Sequence, residues 1–346
     1  MQKLTFTIFS DFHYKKGMYA STVTHMNEIT RRAKDSGSEF LIHCGDFCND
    51  YIRSPELTRA YRENPYGIPA LGIYGNHELE SMENSMAAVT PLLCGTDVIW
   101  GTEDGKIGDG SVAYYHRDFG KFRVIGLDSN YSLSADGEWQ HNTTCSYGPP
   151  RGNKPYNCLG PVQFAWLEHL LTDAAEKGLH CMLFSHACYC TLWHHDSDTE
   201  AMQALIAKYN ALRPGTVIAA INGHYHTNHI AVIENVLYFD VNTTINGEWI
   251  PEKIPHYTEE HTFEYTDYDE AGNAVRTYQR PYTELWMAPN TWFFKDPLSA
   301  VITVSEDGTF EIVGSKTEWH YGILPPVRPG EHGFDPCISD FSGKVF

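Results

Sequence analysis

Short apolar runs recur along this chain, and many of them end on a polar cluster rich in Asp, Asn and His. Residues 4–10 read as a buried strand that stops at Asp11-Phe12-His13, and residues 22–34 as a helix closed by Ser36-Gly37. Residues 40–44 form the next apolar run, which delivers Gly45-Asp46. Strand, helix, strand is a right-handed crossover unit, and it places both acidic loops at one edge of a parallel sheet. A helix over 55–62 and a strand over 70–74 then bring Gly75-Asn76-His77-Glu78 to the same edge. Residues 81–89 predict a short helix, 101–110 a surface loop, and 112–116 with 122–127 an antiparallel hairpin separated by Asp118 and Gly120. Residues 129–160 show no clear period, and a loop of that length in a compact domain is often a functional lid.

The helix pattern is clearest over 161–177, with Pro at its start, Phe164, Leu167, Leu170 and Leu171 on one face, and Gly178 behind it. A strand over 181–184 ends at Ser185-His186. After a helix over 200–212, a strand over 216–221 runs into Gly223-His224-Tyr225-His226. Imidazoles at alternate positions of an extended segment point to opposite faces, so both serve one site only if the backbone turns, and Gly223 is the residue that allows it. Residues 230–233 and 236–241 read as a hairpin. Beyond 247 the character changes: 254–275 carries six acids and no Lys or Arg, which predicts a solvated excursion, and 300–304 with 309–313 reads as a late hairpin through Asp307-Gly308.

Composition narrows the function classes. The 346 residues suffice for one large domain or two, and 42% hydrophobic against 20% charged residues marks a globular chain. With 44 acids against 25 bases the formal charge is −19, so a long nucleic acid is not an expected partner, nor is an anionic membrane surface. The apolar stretch at 4–9 is far too short to span a bilayer, and no signal peptide is visible. Nine cysteines without framework spacing fit buried thiols in a reducing cytoplasm, which is the expected location. Cys188-x-Cys190 lacks a second pair and is not read as a metal site.

The strand-end residues together are Asp11, His13, Asp46, Asn76, His77, His186, His224 and His226. Carboxylate, amide oxygen and neutral imidazole are ligands for hard and borderline divalent ions, and the set is too large for one ion. Two ions sharing Asp46 is the economical arrangement. Two divalent ions carry +4, two carboxylates and a bridging hydroxide −3, and the surplus of one attracts a phosphate.

This order of motifs, Asp-x-His, Gly-Asp, Gly-Asn-His-Glu, a lone His after a strand and Gly-His-x-His, resembles the calcineurin-like metallophosphoesterase family. Gly126-Leu127-Asp128-Ser129 and the helix with Gln163, Trp166 and Leu167 also look like its smaller bacterial members, including the class III cyclic nucleotide phosphodiesterases. The resemblance covers roughly residues 4–245. It implies an α/β fold, a four-layer α-β-β-α sandwich of two mixed sheets, with residues 1–246 as the catalytic domain and 247–346 as a C-terminal elaboration packed on it. It also implies Asp11, His13, Asp46 and His226 around one metal, and Asp46, Asn76, His186 and His224 around the other, with Mn, Fe, Zn, Mg or Ni as candidate ions.

The resemblance leaves His77 uncoordinated, able to protonate a leaving group or to bind the phosphoryl group as a cation. The family commonly has an Asp three residues after the bridging Asp to orient this His. Here that position is Asn49, and Asp50 beside it is the other residue that can support the ring. Glu78 is read as a brace for its loop, His43 and His180 as structural, and His194 and His195 as exposed. The aromatic residues of the last hundred positions either pack a core or wall a base or sugar. The resulting expectation is a dinuclear metal-dependent hydrolase of small phosphate esters, first a phosphodiesterase with the bridging hydroxide as nucleophile, second a phosphomonoesterase. A non-catalytic metal-binding protein on the same fold is the rival from another class.

Overall fold

The computed structural model describes residues 1–81, 84–102, 111–142, 157–189, 198–250, 252–326 and 335–346. Its first strand, β1 (Lys3–Phe9), is followed by α1 (Val23–Asp35), β2 (Phe40–His43), α2 (Pro55–Arg62) and β3 (Ala70–Gly72). Thr22 starts α1 with a reciprocal capping pair: its side chain accepts from the His25 amide, and its own amide donates to His25 Nδ1. Then come α3 (Met86–Leu93), β4 (Ile99–Trp100), β5 (Tyr115–Phe119), β6 (Phe122–Gly126), β7 (Tyr131–Leu133) and β8 (Trp139–His141). The middle of the chain holds α4 (Gly160–Lys177), β9 (His180–Phe184), α5 (Thr199–Leu212), β10 (Val217–Asn222), β11 (His229–Ile233) and β12 (Val236–Asp240). The remainder is β13 (Asn246–Trp249), β14 (Thr262–Tyr268), β15 (Ala274–Pro281), β16 (Thr291–Phe293), β17 (Ala300–Ser305), β18 (Thr309–Gly314) and β19 (Phe341–Lys344).

Two mixed sheets form, one of six strands ordered β19-β18-β17-β1-β2-β3 and one of seven ordered β11-β12-β10-β9-β6-β5-β4. Within them β1, β2 and β3 run parallel, as do β6, β9, β10 and β12, so two sets of strand ends emerge at one edge. Strands β2, β6, β9, β10 and β12 are buried along their whole length, the reading of a parallel strand covered on both faces. One core lies between the sheets, where Phe6 stacks on Phe40 at 4.7 Å and meets Phe184 edge-on at 5.9 Å. A second core holds α4 and α5 against β6, β9, β10 and β12. With Met26, Ile29 and Ala33 of α1 and Leu57 and Tyr61 of α2 joining the first core, the layers are helix, sheet, sheet, helix.

Several expected elements shift, each for a local reason. The helix expected at 81–89 is α3 at 86–93, because Ser85, rather than Ser81, supplies the cap by accepting from the Ala88 amide at 3.2 Å. The strand expected at 112–116 is β5, which runs on through Asp118 because that carboxylate pairs across the hairpin with the buried Arg123 at 2.7 Å. Part of the expected long loop forms the hairpin β7–β8, and residues 143–156 of it lie outside the described residues. The acidic stretch is also no free excursion. Its acids alternate with Phe263 and Tyr265, which are buried, so β14 and β15 pair and pack on a third core of Ala20, Ile245, Tyr257, Tyr282, Leu285 and Phe293.

The late hairpin β17–β18 forms where the sequence places it, and β17 pairs antiparallel with β1 from Lys3↔Ser305 to Ile8↔Ala300. The last fifty residues therefore complete the sheet that carries Asp11 and Asp46. Tyr257, Tyr265, Tyr282, Trp292 and Phe293 are buried, which assigns these aromatics to packing; Trp286 is exposed. His43 and His180 are buried as expected of structural residues, while His194 and His195 lie outside the described residues.

Candidate metal centre

Backbone conformation at the strand ends is unusual. Asp11, His13, Asp46, His224 and His226 all have positive φ, between 49° and 75°. Non-glycine residues adopt this region at a cost, so five of them at one edge mark a site where the surrounding fold holds the backbone against strain. The two imidazoles of Gly-His-x-His thus reach one site because each histidine itself turns. Gly223 does not have a left-handed φ; its role is close approach, since a Cβ there would stand 1.9 Å from Ser10 Oγ and 2.6 Å from Asp11 Oδ2. Gly45 combines both demands, with φ of 95° and a Cβ position only 2.4 Å from the His186 ring.

Two groups of side chains converge. Asp11, His13 and His226 form one, Asp46, His186 and His224 the other, and within each the potential ligand atoms lie within 4.8 Å of one another. Hydrogen bonds at the far ring nitrogens fix the tautomers. His13 Nδ1–H donates to Asn49 Oδ1 at 3.3 Å and His226 Nδ1–H to the Gly247 carbonyl at 3.4 Å, which leaves bare lone pairs on the two Nε2 atoms, 3.2 Å apart. Asp11 Oδ1, fully buried and without a hydrogen-bond partner, is 3.4 Å from His226 Nε2 and 3.9 Å from His13 Nε2. In the second group His186 Nδ1–H donates to the Cys44 carbonyl at 2.7 Å, and its Nε2 stands 3.0 Å from Asn76 Oδ1, 3.1 Å from His224 Nδ1 and 3.2 Å from Asp46 Oδ2. Carboxylate, amide oxygen and imidazole nitrogen crowded this closely in a buried site need protons or a cation between them, and the donor set fits a divalent ion in each group.

Asp46 links the groups: its Oδ2 is 3.2 Å from His186 Nε2 and 3.8 Å from His13 Nε2, while Oδ1 accepts from the His77 amide at 2.8 Å. Electrostatics agree. Burial drives His13 down to about 4 against the pull of Asp46, so it is neutral and able to ligate. At His186 burial also opposes the charge, but Asp46 and Asp11 outweigh it and raise the ring to about 10. Burial would raise Asp11, yet His226 and His186 hold it at about 2. The edge therefore attracts positive charge, whether carried by protons or by metal ions.

Neighbouring groups brace these side chains. Glu78, fully buried, accepts from the amides of Asp46, Phe47 and Gly75 at 2.7 to 3.0 Å and ties the two acidic loops together, as expected; burial and the Asp46 charge push its carboxyl up to about 8 while those amides oppose the rise. Gln163 of α4 accepts from the Asp128 amide and donates to its carbonyl, so the helix fixes the end of β6, where Asp128 accepts from His141 Nε2 at 2.9 Å. His77 lies off both groups, its Nε2 4.0 Å from Asp46 Oδ2. Around its Nδ1 stand Asn49 Nδ2 at 3.3 Å and Glu80 Oε2 at 3.4 Å, while the half-buried Asp50 has an Oδ1 without a hydrogen-bond partner. Sequence reasoning did not find Glu80, nor Tyr19, whose ring stacks on His13 at 5.1 Å. The signal for Glu80 was its place three residues after His77, a spacing that a single turn closes.

The pattern of the calcineurin-like phosphoesterases matches residues 4–228. The chain belongs to that family. As a calcineurin-like phosphoesterase it is a phosphoric ester hydrolase built for a dinuclear divalent metal centre. Among solved structures it is similar to a dimetal phosphatase from Danio rerio, at 15% identity and a TM-score of 0.54 over 90% of this chain and 95% of that one. It also matches the calcineurin-like phosphoesterase YfkN from Bacillus subtilis, at 12% identity and a TM-score of 0.43 over 92% and 91% of the two chains. The first likeness bears out the fold. No curated protein matches the sequence. Among the described residues, no helix is long and apolar enough to cross a membrane.

Proposed function

We propose that this phosphoesterase hydrolyses small phosphodiesters, with Asp11, His13, Asp46 and His226 holding one divalent ion and Asp46, Asn76, His186 and His224 the other. The observation that carries the reading is Asp46 Oδ2, one carboxylate oxygen within 3.8 Å of an imidazole nitrogen from each group. When bound, two such ions polarise the phosphoryl oxygens and lower the pKa of the attacking water. The residues do the rest. Asp11 and Asp46 leave the centre cationic, and the nucleophile's own charge reduces the surplus to one, which neutralises a diester and falls short of a dianionic monoester. His77, beside the ions and on neither, is placed to deliver a proton from Nε2 to the departing oxygen, which an alkoxide needs and a nitrophenolate does not.

The diester preference is tested with nitrophenyl phosphate and bis(nitrophenyl) phosphate on metal-stripped protein given Mn²⁺, Mg²⁺, Zn²⁺, Ni²⁺ or Fe²⁺. Faster turnover of the diester with at least one ion is expected; faster turnover of the monoester with every active ion would overturn the preference. The dimetal phosphatase from Danio rerio supports monoester hydrolysis as the second reading.

A further inference from the structure

His77 needs a group that fixes its ring; of the two residues the sequence offers, Asn49 stands 3.3 Å from Nδ1, and Glu80 joins it there. Residues 77–80 form a turn in which the Glu80 amide donates to the His77 carbonyl at 3.0 Å. This brings Glu80 Oε2 to 3.4 Å from Nδ1 of its own histidine. The same oxygen accepts from Asn49 Nδ2. At its other end the fully buried Asn49 offers Oδ1 to His13 Nδ1–H at 3.3 Å. With His77 protonated on both nitrogens, as a proton donor bonded through Nδ1 must be, one assignment satisfies the whole chain: His13 donates to the Asn49 oxygen, and the Asn49 amide and His77 Nδ1–H both donate to Glu80. Turning the amide round would set its NH₂ against the His13 N–H and its oxygen against a carboxylate. Asn49 is thus committed as a spacer, and the negative charge at His77 Nδ1 comes from Glu80, whose side chain is only 10% exposed, while Asp46 faces Nε2.

We infer that Glu80 is the positioning residue of this site: it holds His77 with Nε2–H turned toward the metal edge, and Asn49 ties that pair to the ring of His13. The inference rests on the phosphoester reading for its kinetic consequence, but the contact itself has a readout of its own. Lys15 Nζ, 3.9 Å from Glu80 Oε2, attracts the same carboxylate from its half-buried side, so the pair works in a small charge network rather than alone.

The test compares wild type, Glu80→Ala, and Glu80→Ala combined with Asn49→Asp, all loaded with Zn²⁺. Two measurements are made: turnover of a phosphodiester with a nitrophenolate leaving group against one with an alkoxide, and the imidazole ¹⁵N spectrum, with His77 assigned by its loss in His77→Ala. Glu80→Ala should shift the His77 Nδ1 resonance and slow the alkoxide ester at least about ten-fold more than the nitrophenyl ester, while zinc stays at two per chain. In the double variant a carboxylate oxygen takes the place of the Asn49 nitrogen, 3.3 Å from Nδ1, and should restore both the resonance and the rate. An unmoved resonance, an equal loss on both esters, or no restoration in the double variant would overturn the inference. If wild type hydrolyses neither ester, the proposed function falls, and the resonance alone decides whether Glu80 holds the ring.

Discussion

The two groups of potential ligand atoms meet at Asp46, but the rings on either side of it are anchored differently. In the second group His186 is 3% exposed and its Nδ1 is anchored by a 2.7 Å bond to a backbone carbonyl. In the first group His226 is 20% exposed, and the bonds that orient its two rings are 3.3 and 3.4 Å long, one of them to a side chain. A ring tied by a short bond to buried backbone loses little freedom when a metal binds, whereas a ring tied by a long bond to a movable amide must still be ordered. The difference teaches that a symmetrical list of potential ligands can be anchored asymmetrically, which predicts that one ion would be released more readily than the other.

The two groups fail together at the residue they share. Asp46→Asn should remove turnover to background together with at least one ion, because a neutral amide cannot bridge two cations; metal analysis that finds two ions per chain with undiminished turnover would refute the bridge. His77 should respond differently, since it belongs to neither group. His77→Ala is expected to keep both ions and to slow esters with poor leaving groups by about 10² to 10⁴, with little loss on nitrophenyl esters. An equal loss on both kinds would assign it to phosphoryl binding instead of proton transfer.

The smallest effect sharpens the asymmetry itself. Asn49→Ala removes the oxygen that orients His13 and should weaken one ion by about 10- to 100-fold while sparing the other. Stepwise chelation followed by calorimetry or metal analysis measures this: wild type should release its ions in two phases, and the variant should widen the gap between them. A single phase in both proteins would mean that the two groups bind as one.

The sequence alone determined much here, because the information was local. Buried parallel strands read as apolar runs, α4 was bracketed by Pro161 and Gly178, and the ligand-type residues stood directly after strands. Parallel pairing then required those loops to share an edge. Other features were invisible because they depend on contacts between distant segments. His13 and His226 meet across 213 positions, and their convergence requires positive φ at residues that ordinarily avoid it, a strain only the assembled fold sustains. The acidic stretch looked solvated until β15 and the third core gave its alternate aromatic residues a surface to cover. The tertiary structure likewise decided which group stands at His77 Nδ1, since composition cannot show that Asn49 is already engaged with His13, nor that a turn folds Glu80 back onto the ring. Short-range periodicity records which face of an element meets the core. It carries no record of how loops from different elements divide their hydrogen bonds once packing has brought them together.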